Sequence, residues 1–212
     1  MSAWYPVFLD LAGQPCLVVG GGAVAERKVG ALLAAGARVA VIAPEVTAAI
    51  AAWIRAGDIV HVARTYRPGD LLGQRLVFVA TDSREVTDAV RDEAREWNVW
   101  VNAADDAARS DFILPSVARR GPLTVAVGTG GTSPALARLV REDIETWLGE
   151  EYGALVEVAA DVRRELAERG RRSSGDAWTR SLDDGVRRLV REGRRTEARE
   201  RLLARLENDV CA

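Results

Sequence analysis

The most restrictive stretch of this chain lies near its start. The apolar run Cys16-Leu17-Val18-Val19 is stopped by Gly20-Gly21-Gly22 and followed at once by Ala23-Val24-Ala25. A short apolar run bounded by Pro15 and by glycines reads as a strand buried on both faces. Val24 to Ala35 reads as a helix, with Val24, Leu32 and Leu33 on one side and Gly36 as its C-terminal stop. The junction fits the pattern G-x-G-x-x-A in the strand–turn–helix context that pattern requires. Gly20 permits the tight turn, Gly22 lets the backbone approach a pyrophosphate, and Ala25 allows close helix–strand packing. The helix N-terminus then offers amide donors and a positive dipole end to phosphates. A glycine-rich turn with no ligand is the plainer alternative.

The same alternation continues downstream. Val39–Ile42 and Ile59–Ala63 read as strands flanking a helix over 46–56. Leu76–Ala80 is a strong strand, Arg84–Trp97 a helix and Val99–Val101 a fifth strand. Strands and helices at this spacing predict a parallel sheet with crossover helices, an α/β Rossmann-type domain over residues 1–114. After Pro115 the pattern changes. Ser116–Arg119 and Leu123–Val127 predict two strands about the turn Arg120-Gly121-Pro122, and Ser133-Pro134 starts a helix running to about Leu148. Two short strands and a helix beyond a finished sheet are poorly placed to bury their apolar faces alone, so 115–149 is expected to be a small α+β dimerisation segment. Residues 150–212 are expected to be helical, over 152–169, 176–191 and 196–206, with a linker at 170–175.

Composition narrows the function. A formal net charge of −2 gives no global attraction for nucleic acid or an anionic membrane. His61 is the single histidine, and Cys16 and Cys211 have no metal-ligand spacing, so no metal site is expected and a Ser-His-Asp triad would depend on His61 alone. No run of about 20 apolar residues and no signal-peptide pattern occurs, which makes the cytoplasm the expected compartment. Lys28 is the only lysine; every other basic side chain is arginine. That bias reflects either coding composition or arginines kept for bidentate carboxylate pairing.

Candidate site residues fall at the expected carboxyl ends of strands. Glu45 follows the second strand about 20 residues past the glycines, where a ribose-binding acid is expected, though Ala43 and Pro44 intervene and a solvated loop glutamate fits too. A carboxylate there would favour NAD over NADP. Thr81-Asp82 either borders the cofactor or caps the next helix. Asn102-Ala103-Ala104-Asp105-Asp106 would bring a carboxylate to the cleft, suited to moving protons beside a hydride transfer, or is simply a turn rich in Asp and Asn. Gly128-Thr129-Gly130-Gly131-Thr132-Ser133-Pro134 is either a capped helix start or a cradle of amides and hydroxyls for carboxylates.

Together these stretches resemble the precorrin-2 dehydrogenase and sirohydrochlorin ferrochelatase family, including the N-terminal module of sirohaem synthases. The resemblance is carried by Tyr5-Pro6-Val7-Phe8-Leu9, by Val18 through Lys28 with its Ala-Glu-Arg-Lys ending, and by Ala80-Thr81-Asp82. It continues in Val101 through Asp105, Asp111 through Ser116, and Val125 through Pro134. It implies oxidation of precorrin-2 to sirohydrochlorin with NAD as hydride acceptor, and in some members Fe2+ insertion in the same cleft. It further implies that Asp105 is the catalytic aspartate. Gly20, Gly21, Gly22, Ala23, Val24, Pro44, Glu45 and Thr81 would line the NAD site. Asn102, Ser116, Thr129, Gly130, Gly131, Thr132 and Ser133 would contact the tetrapyrrole, with Thr129 where relatives often carry serine. A homodimer is implied, and the chain ends before the methyltransferase domain of the longest relatives.

Two other classes were weighed. Short-chain dehydrogenases need Tyr-x-x-x-Lys, and no tyrosine stands four residues before Lys28. A non-catalytic NAD-sensing regulatory module would keep the glycines but need neither Asp105 nor the Gly-Gly-Thr-Ser-Pro loop.

Overall fold

A computed structural model describes residues 4–104 and 106–209, which divide into two compact units at Leu114/Pro115. In the first, β1 (Pro15–Val19), β2 (Arg38–Ile42), β3 (Ile59–Val62), β4 (Leu76–Val79) and β5 (Trp100–Ala103) form one parallel sheet in the order β3-β2-β1-β4-β5. Helices α1 (Ala23–Ala34), α2 (Ala48–Ala56) and α3 (Arg84–Trp97) connect the strands.

The continuous apolar runs are explained by burial on both faces. Cys16 and Val18 enter one core with Ala25, Val29 and Leu32 of α1 and Ile50 of α2. Leu17 and Val19 enter the opposite core with Val90 and Ala94 of α3 and the loop residues Tyr66 and Leu71. Burial pushes the Cys16 thiol up to about 11, so it packs as a small apolar group and not as a nucleophile. The chain order reverses between β1 and β4, which places the ligand-binding crevice of such sheets at the carboxyl ends of those two strands.

Strand β5 runs two residues further than its sequence suggests, so Asn102 is a buried strand residue and not the start of a loop. The segment after it doubles back along this edge. The Asp111 amide donates to the Val101 carbonyl (2.8 Å) and the Val101 amide to the Asp111 carboxylate (2.9 Å). Asn102 Nδ2 donates to the Phe112 carbonyl (2.9 Å). These bonds cover what would otherwise be an open strand edge.

In the second unit β6 (Ser116–Arg120) and β7 (Leu123–Val127) form an antiparallel pair, followed by α4 (Pro134–Trp147) and α5 (Glu151–Glu168). The helix expected over 176–191 is two helices, α6 (Gly175–Ser181) and α7 (Asp184–Arg191). Asp183 causes the break: its carboxylate accepts from the Val186 amide (2.9 Å) as the α7 cap. Helix α8 (Arg195–Asp209) closes the cluster, with Leu202 and Leu206 packed against Val162, Val186 and Val190. Among the described residues no helix is long and apolar enough to cross a membrane.

Asp183 also pairs with Arg201 (2.9 Å) and Arg205 (3.2 Å), and its hydrogen bond to Arg201 lowers its pKa to about 2. Asp183→Ala should cost about 1 kcal/mol in urea unfolding at pH 7, the usual worth of a cap. Because the folded pKa is depressed, the difference from the parent should be full above the unfolded value of about 4. It should narrow as pH falls toward about 2.

Candidate functional site

Three loops meet at the carboxyl edge of the sheet, and the glycines show why. Gly20 takes φ +125°, and a Cβ there would lie 2.0 Å from the Ala80 carbonyl oxygen at the end of β4. On Gly21 it would lie 1.9 Å from the Glu45 carbonyl oxygen beyond β2, and the Thr47 amide donates back to the Gly21 carbonyl (3.0 Å). The turn after β1 is therefore wedged between the loops after β4 and β2. Gly22 differs from both: a Cβ there would meet nothing within 4 Å.

Open space thus lies over Gly22, which is the N-cap of α1 and provides no side-chain acceptor for the amides of the first turn. Ala25, fully buried, lets the helix lie close on the sheet. Unfilled space at an uncapped helix N-terminus fits a pyrophosphate. Gly20, Gly21, Gly22, Ala23 and Val24 would hold it, with Pro44 and Glu45 exposed beside them. Thr81 follows Ala80 at the third loop; its hydroxyl accepts from the Ser83 amide (3.3 Å), while Ser83 caps α3. His61 is committed elsewhere, its Nε2 donating to the Ala43 carbonyl (2.9 Å). Lys28 stands 5.3 Å above the Phe78 ring, which meets Phe112 edge-on at 5.5 Å.

Beside this, a cleft of about 220 Å3 opens at the ends of β4 and β5, lined by Val79, Thr81, Arg84, Ala104, Asp106 and Arg109 among others. Asp105, the expected catalytic residue, lies outside the described residues. Its neighbour Asp106 caps the short turn Ala107–Arg109 and pairs with Arg109 (2.5 Å). That hydrogen bond holds the Asp106 carboxyl below the usual carboxylate range. Asn102 spends its side-chain amide on Phe112. Arg109 also links to Asp88 on α3 (3.0 Å), a contact across 21 residues that no sequence pattern signals.

The remaining candidates belong to the second unit. Ser116 opens β6, paired with Val127. Thr129 works inside its loop, donating to the Ser133 carbonyl (2.9 Å) and accepting from the Ser133 amide (3.2 Å), while the Thr132 hydroxyl donates to the Thr129 carbonyl. Gly130 and Gly131 take φ +63° and +80°, and Ser133 caps α4.

The first unit is, by topology and turn geometry, a dinucleotide-binding Rossmann domain. The chain belongs to the putative NAD(P)-binding family, whose model matches residues 7–116; residues 120–146 match the model of the sirohaem biosynthesis protein central region. It is 45% identical to a siroheme synthase of Methylobacillus flagellatus over 77% of this chain and 35% of that one. It is 41% identical to a siroheme synthase of Methylococcus capsulatus over 94% of this chain and 43% of that one. The chain thus spans less than half the length of these curated relatives. Among solved structures it is similar to SirC, a precorrin-2 dehydrogenase, with 29% identity and a TM-score of 0.75 over 93% of this chain and 99% of that one.

The contrast among the glycines is testable. Gly22→Ala should leave thermal unfolding within a few degrees of the parent, because φ is −82° there and the added methyl touches nothing. Its affinity for NAD should nevertheless fall more than about tenfold, because the methyl stands where the pyrophosphate approaches. Gly20→Ala should unfold markedly earlier. Unchanged NAD titration in Gly22→Ala would remove the pyrophosphate from this turn.

Proposed function

We propose that this chain oxidises precorrin-2 to sirohydrochlorin with NAD as hydride acceptor. The observation that carries the cofactor half is the open approach to Gly22 at the uncapped end of α1, directly after two glycines that have no such room. The substrate half is supported by the likeness to SirC along 93% of the chain and by identity to siroheme synthases.

In this reading Gly20, Gly21, Gly22, Ala23 and Val24, with Pro44, Glu45 and Thr81, would hold NAD, which would supply the hydride acceptor. Glu45, exposed beside that turn, would hydrogen-bond the adenosine ribose and so select NAD against NADP. The hydride leaves a carbon of the macrocycle and a proton must leave with it. Asp105, which follows β5 in the chain, would take this proton as general base. His61 lies within β3 opposite Val41 of β2, its Nε2 donating to the Ala43 carbonyl, and not at the ends of β4 and β5. The loop Thr129, Gly130, Gly131, Thr132 and Ser133 would hold carboxylates of the tetrapyrrole, which suit its amides and hydroxyls. The active form is a homodimer joined through 115–149, where Leu136, Leu139 and Trp147 of α4 are exposed by 50%, 55% and 69%.

Incubation with NAD and precorrin-2 should give the sirohydrochlorin spectrum, and addition of Fe2+ in a second arm reports metal insertion. Asp105→Ala should lower kcat by about 10²- to 10⁴-fold while NAD affinity changes little. Near-normal turnover with an intact circular dichroism spectrum would show that positioning, not this carboxylate, carries the reaction. For the cofactor, a carboxylate 4 Å from a 2′-phosphate costs about 1 to 4 kcal/mol, so kcat/KM should favour NAD by about ten- to a thousandfold. Equal values for the two cofactors would remove Glu45 from the ribose.

A further inference from the structure

We propose that Arg109 is a positioning residue: by bridging Asp88 on α3 and Asp106 after β5, it fixes the turn that flanks Asp105. This rests on the reading of Asp105 as the base. Sheet bonding carries the backbone only one residue past β5, where the Ala104 amide donates to the Val79 carbonyl of β4 (2.9 Å). On the other side of Asp105 the chain is held by a different set of bonds. The Asp106 amide donates to the Ala103 carbonyl (3.3 Å), and the Ser110 hydroxyl to the Asp106 carbonyl (2.8 Å). The Asp106 carboxylate accepts from both the Arg109 amide (3.1 Å) and its Nη1 (2.5 Å). Arg109 Nε donates to Asp88 (3.0 Å), and Arg91, one turn along α3 from Asp88, reaches the Ala108 carbonyl (3.4 Å).

Arg109 thus ion-pairs this turn with α3, alongside the longer Arg91 contact, and it uses two different N–H groups on two carboxylates. A lysine offers a point charge without that planar fork. The hydrogen bond from Arg109 to Asp106 lowers the pKa of that carboxyl, in keeping with their close contact. Asp88 and Asp106 are 50% and 32% exposed, a setting in which ion pairs add little to global stability. The consequence of the clamp is therefore geometric. It holds one wall of the cleft shared by Thr81, Arg84 and Asp106, where a displacement of about 1 Å can cost about 10²-fold in rate.

The test compares Arg109→Gln, Arg109→Lys, Asp88→Asn and Asp105→Asn in the full chain, with precorrin-2 and NAD. Arg109→Gln should lose about tenfold or more in kcat. Its KM and Kd for NAD should stay within about twofold and its melting temperature within a few degrees. Asp88→Asn should show a smaller loss in kcat of the same kind, and Arg109→Lys a partial recovery. Unchanged kcat in Arg109→Gln, or a loss matched by weakened NAD binding, overturns the clamp. If Asp105→Asn is inactive while Arg109→Gln is normal, the clamp alone fails. If Asp105→Asn turns over normally, or the parent shows no turnover, the reading of the site fails and the clamp falls with it.

Discussion

Everything at the carboxyl edge depends on two contacts that leave no room for a methyl group. The peptide at Gly20 lies against the Ala80 carbonyl and that at Gly21 against the Glu45 carbonyl. These approaches lock the turn after β1 between the strands on either side of it, where the chain order reverses. Packing of the glycine backbone, not any side-chain bond, aims the first turn of α1 outward. The third glycine, with open space over it, is left out of this constraint, so consecutive residues of one turn differ sharply in what they can tolerate.

That division explains what the sequence made legible. The pattern G-x-G-x-x-A names Gly20, Gly22 and Ala25, and all three have the surroundings such a pattern requires. Gly21 occupies the unrestricted x, yet its closeness to Glu45 makes it as unreplaceable as Gly20. No periodicity carries that information, because it arises from a loop more than 20 residues away. The parallel sheet and its helices were readable for the opposite reason: strands buried on both faces leave unbroken apolar runs. The helix break at Asp183 was missed because Leu182 and Val186 keep the helical apolar spacing through it. Only the cap on Val186 and the pairing with α8 show that the chain has stopped and restarted.

The edge after β5 was only partly legible. The apolar run ends at Val101, and the polar stretch rich in Asp and Asn that follows has the composition of a turn. In the fold those polar groups pair with one another. Asp111 returns to Val101, Asn102 to Phe112, and Ser110 to Ala103 and Asp106. Side chains there take hydrogen bonds that a further strand would otherwise make along β5.

The near-absence of lysine now divides into two physical cases. At exposed helix positions such as Arg95–Asp92 (3.5 Å) the pair is solvated, and any cation of similar reach would serve. At three places the fork itself is used. Arg64 grips both oxygens of Asp70 at 2.7 Å, pinning the loop that follows β3. Arg120 donates to the Glu145 and Leu148 carbonyls, tying β6 to the negative end of α4. Arg109 spans two elements. A lysine could neutralise any one of these partners but could not hold two acceptors at fixed angles. Whatever set the overall preference for arginine, these positions depend on its shape as well as its charge.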